Sequence, residues 1–463
     1  MRTLCLLLLF LTGLPALLSA PARPPNFIVM IADDMAWDDC GAYGHPNLRT
    51  PHIDALATAG MRFDRAFLTT SSCSPSRCSI LTGRYPHSTG AAELHLPLPA
   101  DRVLFTTALR GAGYYTASAG KWHLGEAAKG QFDRVKVGGG PSGCEDWVTT
   151  LRDRPPDRAF FLWLAAVDPH RDYRPGILSP PHSGEDVRVP PFLPDTADVR
   201  RDLALYYDEI ARLDDHVGRV LAELEAQGVA EQTLVLFLSD NGRPFPRCKT
   251  TLYDDGIRTP FLVRWPAAVK AGTVTQSLVS AVDIGPTVLE LAGLKPGPTL
   301  QGASFAAVLH DPDAPGRRYA FAEHNWHDYA ACERAVRSER FTYIRNSRPD
   351  LPATPPADAV RSPSFAALKR LRDAGTAADQ HLLCFTAPRP AEELYDTETD
   401  PHSLRNLALD SRHQGVLRRM REALEEWRRE TADEVPEPLT PDGFDRETGA
   451  RLPGVPTPHP ALR

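Results

Sequence analysis

The chain has 463 residues, of which 42% are hydrophobic and 24% charged. That is the composition of a globular protein long enough to bury a large core, which excludes global disorder and a coiled coil. The net charge of −7, from 52 basic and 59 acidic residues, argues against a general nucleic-acid binder.

At the N-terminus, Arg2 precedes an apolar run over 4–11, and a second run continues to Ala20 after Thr12 and Gly13. The apolar core is shorter than the ~20 residues of a spanning helix. It reads as a signal peptide over 1–22, with Ala20-Pro21-Ala22 as the small-residue cleavage site. The expectation is an exported protein with no membrane span. Eight cysteines (5, 40, 73, 78, 144, 248, 332 and 384) are scattered, without CxxC pairs or zinc spacing.

Further along, short apolar runs alternate with helical patterns. Residues 26–32 (NFIVMIA) end at Asp33-Asp34. Helices are expected over 53–60 and 106–112. The run 114–119 leads to Lys121 and His123, and 159–167 leads to Asp168-Pro169-His170. A long amphipathic helix is expected over 201–227, because Leu203, Tyr207, Ile210, Leu213, Val217, Val220 and Leu224 recur every three or four residues. The run 233–239 (TLVLFLS) ends at Asp240-Asn241. Runs this apolar read as strands buried on both faces of a parallel sheet. The alternation implies an α/β fold with helices on both faces. Ligands of open α/β sheets bind beyond the carboxyl ends of the strands. That rule gathers Asp33, Asp34, Lys121, His123, His170, Asp240 and Asn241 into one cleft.

After about residue 310, proline and charge rise. Residues 319–323, 332–338 and 341–346 read as a small antiparallel sheet, and 412–431 as an amphipathic helix with a solvated charged face. The organisation is therefore a large domain over 23–310, a smaller α+β domain over 311–434 and a Pro-rich tail over 435–463.

The densest signal is residues 72–83, S-C-S-P-S-R-C-S-I-L-T-G. By itself, a cysteine near an arginine at a helix start points to a thiolate of low pKa. The run from Cys73 to Gly83, however, resembles the signature of the type I sulfatases of the alkaline phosphatase superfamily. Other pieces agree with that resemblance. They are Asp33-Asp34, the lead-in Thr50-Pro51, Asp54, Leu56, Gly60 and Phe63, then G-K-W-H-L-G from Gly120, S-D-N-G from Ser239 and E-L-Y-D from Glu393. The resemblance implies an alkaline-phosphatase-like fold, with a large, mixed, mostly parallel sheet flanked by helices and a smaller C-terminal domain.

It also implies chemistry. Cys73 would be oxidised to formylglycine (3-oxoalanine) by a formylglycine-generating enzyme that reads Cys-x-Pro-x-Arg. Asp33, Asp34, Asp240 and Asn241 offer only oxygen donors, which suit a hard cation. The resemblance favours Ca²⁺ over Mg²⁺, with modified Cys73 as a further ligand. Arg77, Lys121 and Lys249 would supply the local positive field for a sulfate. His170 is the expected general acid, helped by Lys249, and His123 the contact of the second formylglycine hydroxyl. Arg171 joins Lys121, His170 and Lys249 as a substrate contact. Asp172, Arg174, Glu323, His324 and His327 are further pocket candidates.

The heparan N-sulfatase branch of the family looks most similar, through S-D-N-G-R-P-F-P from Ser239, Asp168-Pro169-His170-Arg171 and S-P-S-F from Ser362. Position 249 departs from it, with a compact lysine where that branch can carry the arginine fork. The expected substrate is N-sulfoglucosamine of a heparan-type glycan. The alternatives are an O-sulfatase on another sulfated polysaccharide, phosphoryl transfer, and a non-catalytic glycan-binding protein with unconverted Cys73.

Overall fold

A computed structural model describes residues 24–455. The signal-peptide reading of 1–22 lies outside the described residues. Strands in the first part of the chain are β1 (Asn26–Ala32), β2 (Met61–Phe63), β3 (Ala66–Phe67), β4 (Tyr115–Gly120), β5 (Arg134–Val137), β6 (Phe160–Ala165), β7 (Thr233–Ser239), β8 (Phe261–Arg264), β9 (Thr273–Thr275) and β10 (Val279–Ser280). The longer helices are α1 (Pro51–Thr58), α2 (Cys73–Thr82), α3 (Ala197–Ala226), α4 (Ile284–Leu291), α5 (Pro363–Asp373) and α6 (Gln414–Thr431). No helix among the described residues is long and apolar enough to cross a membrane.

Eight strands form one sheet in the order β5-β4-β6-β1-β7-β8-β2-β9. The pairs from β5 to β7 are parallel, whereas β8 runs antiparallel to both β7 and β2. The four apolar runs singled out from the sequence are β4, β6, β1 and β7, side by side. Their residues are buried on both faces. Phe27, Val29 and Ile31 face one core, and Ile28, Met30 and Ala32 face the other. The second core is closed by α3, whose Leu203, Ile210, Leu213, Val217 and Val220 are all buried. Thr196 caps this helix by accepting from Val199 N, which places its start at Ala197, four residues before the expected start at 201.

Strands β11 (Ala320–His324), β12 (Glu333–Arg337), β13 (Phe341–Asn346) and β14 (Glu392–Asp396) form a separate antiparallel sheet in that order. Helix α6 covers it with Leu417, Met420, Leu424 and Trp427, which pack on Val336, Tyr343 and Leu394. The segment between β13 and β14 does not stay with this sheet. Ala357, Val360, Phe365, Leu368 and Cys384 join the core on the α3 face of the large sheet. Residues 435–455 carry turns and a single bridge, Phe444–Arg451, and are held by bonds such as Trp326 Nε1 to the Pro441 carbonyl (2.7 Å).

Candidate active site

Four adjacent strand ends build the site. Ala32 of β1 pairs with Ser239 of β7, and Gly120 of β4 pairs with Ala165 of β6. Backbone bonds continue past the strands, from Asp33 N to Asp168 O (2.9 Å), Asp240 N to Ala32 O (3.1 Å) and Lys121 N to Ala165 O (2.9 Å). The polar residues after each strand are thereby held in one plane of the sheet. Gly120 is required at the β4 end, because a Cβ there would sit 1.8 Å from the Ala165 carbonyl oxygen. Asp34 and His123 both take left-handed backbone, at φ of 78° and 56°. Such conformations are costly for non-glycine residues and cluster at functional sites.

Cys73 opens α2 after Ser72, which is extended (φ −154°). All ten residues of α2 are buried, so no amphipathic pattern marks it in the sequence. Gly83 ends it in the left-handed region, returning its N–H to Ile80 O. The Cys73 thiol points at Asp34 Oδ1, 3.7 Å away. One ligand atom each from Asp33, Asp34, Cys73 and Asp240 lies within 4.8 Å of all the others.

Three cations meet the three carboxylates. Arg77 Nε donates to Asp240 Oδ2 (2.8 Å) and its Nη2 lies 3.7 Å from Asp33 Oδ1. Lys121 Nζ donates to Asp33 Oδ2, and Lys249 Nζ to Asp34 Oδ2 (2.7 Å). Asn241 Nδ2 donates to Asp34 Oδ1. The cluster is thus close to neutral by itself. Asp33 Oδ1 and Asn241 Oδ1 are buried without a hydrogen-bond partner, although buried oxygens normally have one. Two unmet oxygens among four oxygen donors fit a hard cation.

The electrostatics agree. Burial would raise the Asp33 pKa, but Lys121, His170, Arg77 and Lys249 outweigh it and hold the carboxyl well below its usual range. Burial wins at Asp240, which is pushed up to about 6 against the pull of Arg77. Burial also pushes the Cys73 thiol far up, against the pull of Lys121 and Lys249. His123 is driven well down, by burial and then by Lys121 and His95, and is neutral. Burial opposes the charge on Lys249, but the Asp34 carboxylate raises its pKa well above normal.

His170 stands at the open side, with its side chain 27% exposed and Nε2 at 3.8 Å from Asp34 Oδ2. Cys73, Arg77, Lys121, His123, His170, Lys249, Asp33, Asp34, Asp240 and Asn241 are therefore brought together. Arg171 is not presented to this cleft. Its guanidinium makes a bidentate pair with Asp202 (2.8 Å twice), donates to Pro244 O and stacks on Tyr173 and Phe245. The expected substrate contact by Arg171 is corrected accordingly to a buried structural ion pair. Asp172 and Arg174 are exposed, and Glu323 is buried in a separate ion network. His324 is buried, and His327 reaches Ser72 Oγ at 2.7 Å, beside Cys73.

Two residues that the sequence reading passed over also reach the site. His95 Nδ1 lies 2.7 Å from His123 Nε2. Asp358 Oδ2 lies 3.8 Å from His170 Nε2. Both come from loops or a one-turn helix without an apolar run, so nothing local flags them.

A sulfatase family model matches residues 25–143 and 143–294, and a model of the C-terminal part of N-sulphoglucosamine sulphohydrolase matches residues 247–349. The chain belongs to the sulfatase family, and its class of reaction is hydrolysis of sulfuric esters. Human N-sulphoglucosamine sulphohydrolase is 33% identical over 96% of both chains. An ulvan-active sulfatase of Formosa agariphila is 32% identical over 89% of this chain and 75% of its own. The structure of BT4656 with its substrate D-glucosamine-2-N,6-O-disulfate shares the fold, with a TM-score of 0.70 at 20% identity over 90% of this chain and all of that one.

Proposed function

We propose that this protein is an exported sulfatase that removes sulfate from N-sulfoglucosamine at the end of a heparan-type glycan. The observation that carries the sulfatase chemistry is the buried Cys73 at the head of α2, facing the oxygen cluster of Asp33, Asp34, Asp240 and Asn241. The 33% identity to human N-sulphoglucosamine sulphohydrolase over nearly all of both chains supports the sugar.

Formylglycine made from Cys73 would be held at the head of α2 and would supply the nucleophile for covalent catalysis at sulfur. Asp33, Asp34, Asp240 and Asn241 would hold a divalent cation, Ca²⁺ by family resemblance, which neutralises sulfate charge. The chain's own residues do the rest. Arg77 fixes Asp240 and leaves Nη2 without a hydrogen-bond partner, so its fork both orients a ligand and adds charge. Lys121 and Lys249 sit on the two sides of the cluster, on Asp33 and Asp34, where they balance a bound sulfate. His170, at the open side, is placed to give the leaving group its proton. His123, kept neutral first by burial and then by Lys121, and held by His95, would take a proton at the end of the cycle.

The 32% identity to an ulvan-active sulfatase favours a second reading, an O-sulfatase on another polysaccharide. The test is sulfate release from N-sulfoglucosamine and from N-acetylglucosamine-6-sulfate, with enzyme co-produced with a formylglycine-generating enzyme. We expect release from the N-sulfated sugar, and a loss of more than ~10³-fold in Cys73→Ala. Release from the O-sulfated sugar alone would establish the second reading. Undiminished turnover by Cys73→Ala would remove the mechanism.

A further inference from the structure

Asp358 occupies a position no motif announced. It lies on a single helical turn, Ala357–Val360, whose Ala357 and Val360 are buried in the core beneath α3. Ala357 N donates to Asp328 Oδ2 (2.9 Å), and the next side chain, Arg361, donates to Gly449 O (2.7 Å). The turn is thus fastened at both ends. Asp358 Oδ1 accepts from Ala359 N (2.7 Å), which fixes the carboxylate plane. Its Oδ2 faces His170 Nε2 at 3.8 Å, beyond hydrogen-bond reach. Both side chains keep some exposure, 17% and 27%.

A separation of 3.8 Å admits one interposed atom at hydrogen-bond distance from both groups. His170 Nδ1 faces the Arg171 carbonyl, so Nε2 donates there only when the ring carries both protons, and Asp358 accepts. Burial opposes the charge on Asp358, but Lys249, His170 and Arg171 outweigh it and keep it ionised. A fixed negative charge is a poor neighbour for a second sulfate or a uronate at that point, and a good one for a positive leaving group.

We infer that Asp358 is a specificity-determining residue that receives the leaving nitrogen, selecting substrates whose product carries an ammonium at the cleaved position. The inference rests on the N-sulfoglucosamine reading of the site. When the S–N bond breaks, its electron pair stays on nitrogen and a proton from His170 Nε2 completes a neutral amine. A further proton, from water, makes the ammonium that Asp358 accepts. An O-sulfate yields a neutral hydroxyl, which gains much less from a carboxylate.

The test is binding of glucosamine and of N-acetylglucosamine to the full-length protein and to Asp358→Asn, by calorimetric or NMR titration near neutral pH. We expect the unaltered protein to prefer glucosamine roughly tenfold, and Asp358→Asn to lose that preference. Its affinity for N-acetylglucosamine should stay the same, which also shows that the variant is folded. Equal binding of the two sugars by the unaltered protein, no binding of either, or a preference retained in Asp358→Asn would overturn the assignment. Were Asp358 only a support for His170, both sugars would weaken alike. Sulfate release from N-sulfoglucosamine by the unaltered enzyme is scored separately. Its absence alongside a preserved, Asp358-dependent amine preference would remove the substrate reading and leave the amine site standing.

Discussion

Two buried ion networks in this protein look alike in composition and differ in completeness. At the strand ends, Asp33, Asp34 and Asp240 meet Arg77, Lys121 and Lys249, yet Asp33 Oδ1, Asn241 Oδ1 and Arg77 Nη2 have no hydrogen-bond partner. Between β11 and the end of α6, Glu323 and Asp433 meet His87 and Arg334, and the accounts close. Glu323 Oε1 accepts from His87 N and Nδ1 (2.8 and 3.0 Å), and its Oε2 accepts from Asn325. Asp433 takes a bidentate pair from Arg334 and a further bond from Arg428. His87 Nε2 donates to Thr431 O. The difference separates a cluster built to receive charge from one that ties a loop of the large domain to the C-terminal sheet and helix.

Breaking the complete network should cost stability and leave chemistry intact. Arg334→Met removes the arginine shared by two buried carboxylates, and we expect a loss of ~3–5 kcal/mol in urea unfolding, with kcat for sulfate release within roughly twofold of normal. Filling the incomplete network should do the reverse. Chelator treatment is expected to abolish sulfate release and lower the melting temperature. Restoring the cation at about 100 times its Kd should return ~2.7 kcal/mol, with Ca²⁺ more effective than Mg²⁺. An active, equally stable chelated enzyme would show that the strand-end cluster needs no cation.

The smallest effect sharpens the contrast through pH. Burial alone would lower the His87 pKa, but the bond and charge of Glu323, with Asp433, raise it above the ordinary value. Its contribution should be complete below the unfolded-state value near pH 6.5 and disappear as pH rises through the folded value. The stability gap between the unaltered protein and His87→Gln, followed by melting from acid to mildly alkaline pH, should therefore narrow as pH rises. A gap that widens with pH would contradict the imidazolium assignment.

Much of this arrangement was legible in the sequence for a definite reason. Strands β1 and β7 are buried on both faces, so they read as unbroken apolar runs, and their first polar residues are the site residues. The short strands β2, β8 and β9, of three or four residues, give no such run. Helix α2 was visible only as a motif, since its burial on every side erases the helical period. His95 and Asp358 reach the site through tertiary packing alone. The excursion of residues 357–384 to the α3 core follows four prolines at 349, 352, 355 and 356 and is carried by short helices, which give no long apolar period. Arg171 was misjudged because an arginine beside a site histidine gives no sign in the sequence that a distant Asp202 claims it.

The register of β1 and β7 has an evolutionary consequence. Ala32 and Ser239 are rung partners, and the carboxylates that follow them, Asp33 and Asp240, inherit a separation set by the ~4.8 Å spacing of the ladder. That spacing acts as a ruler no side-chain drift can rescale. His95, His170 and Asp358 hang from loops and a single turn that obey no such ruler. Substitutions in those loops can thus reshape the open side of the cleft while the span between these two carboxylates stays fixed by the ladder.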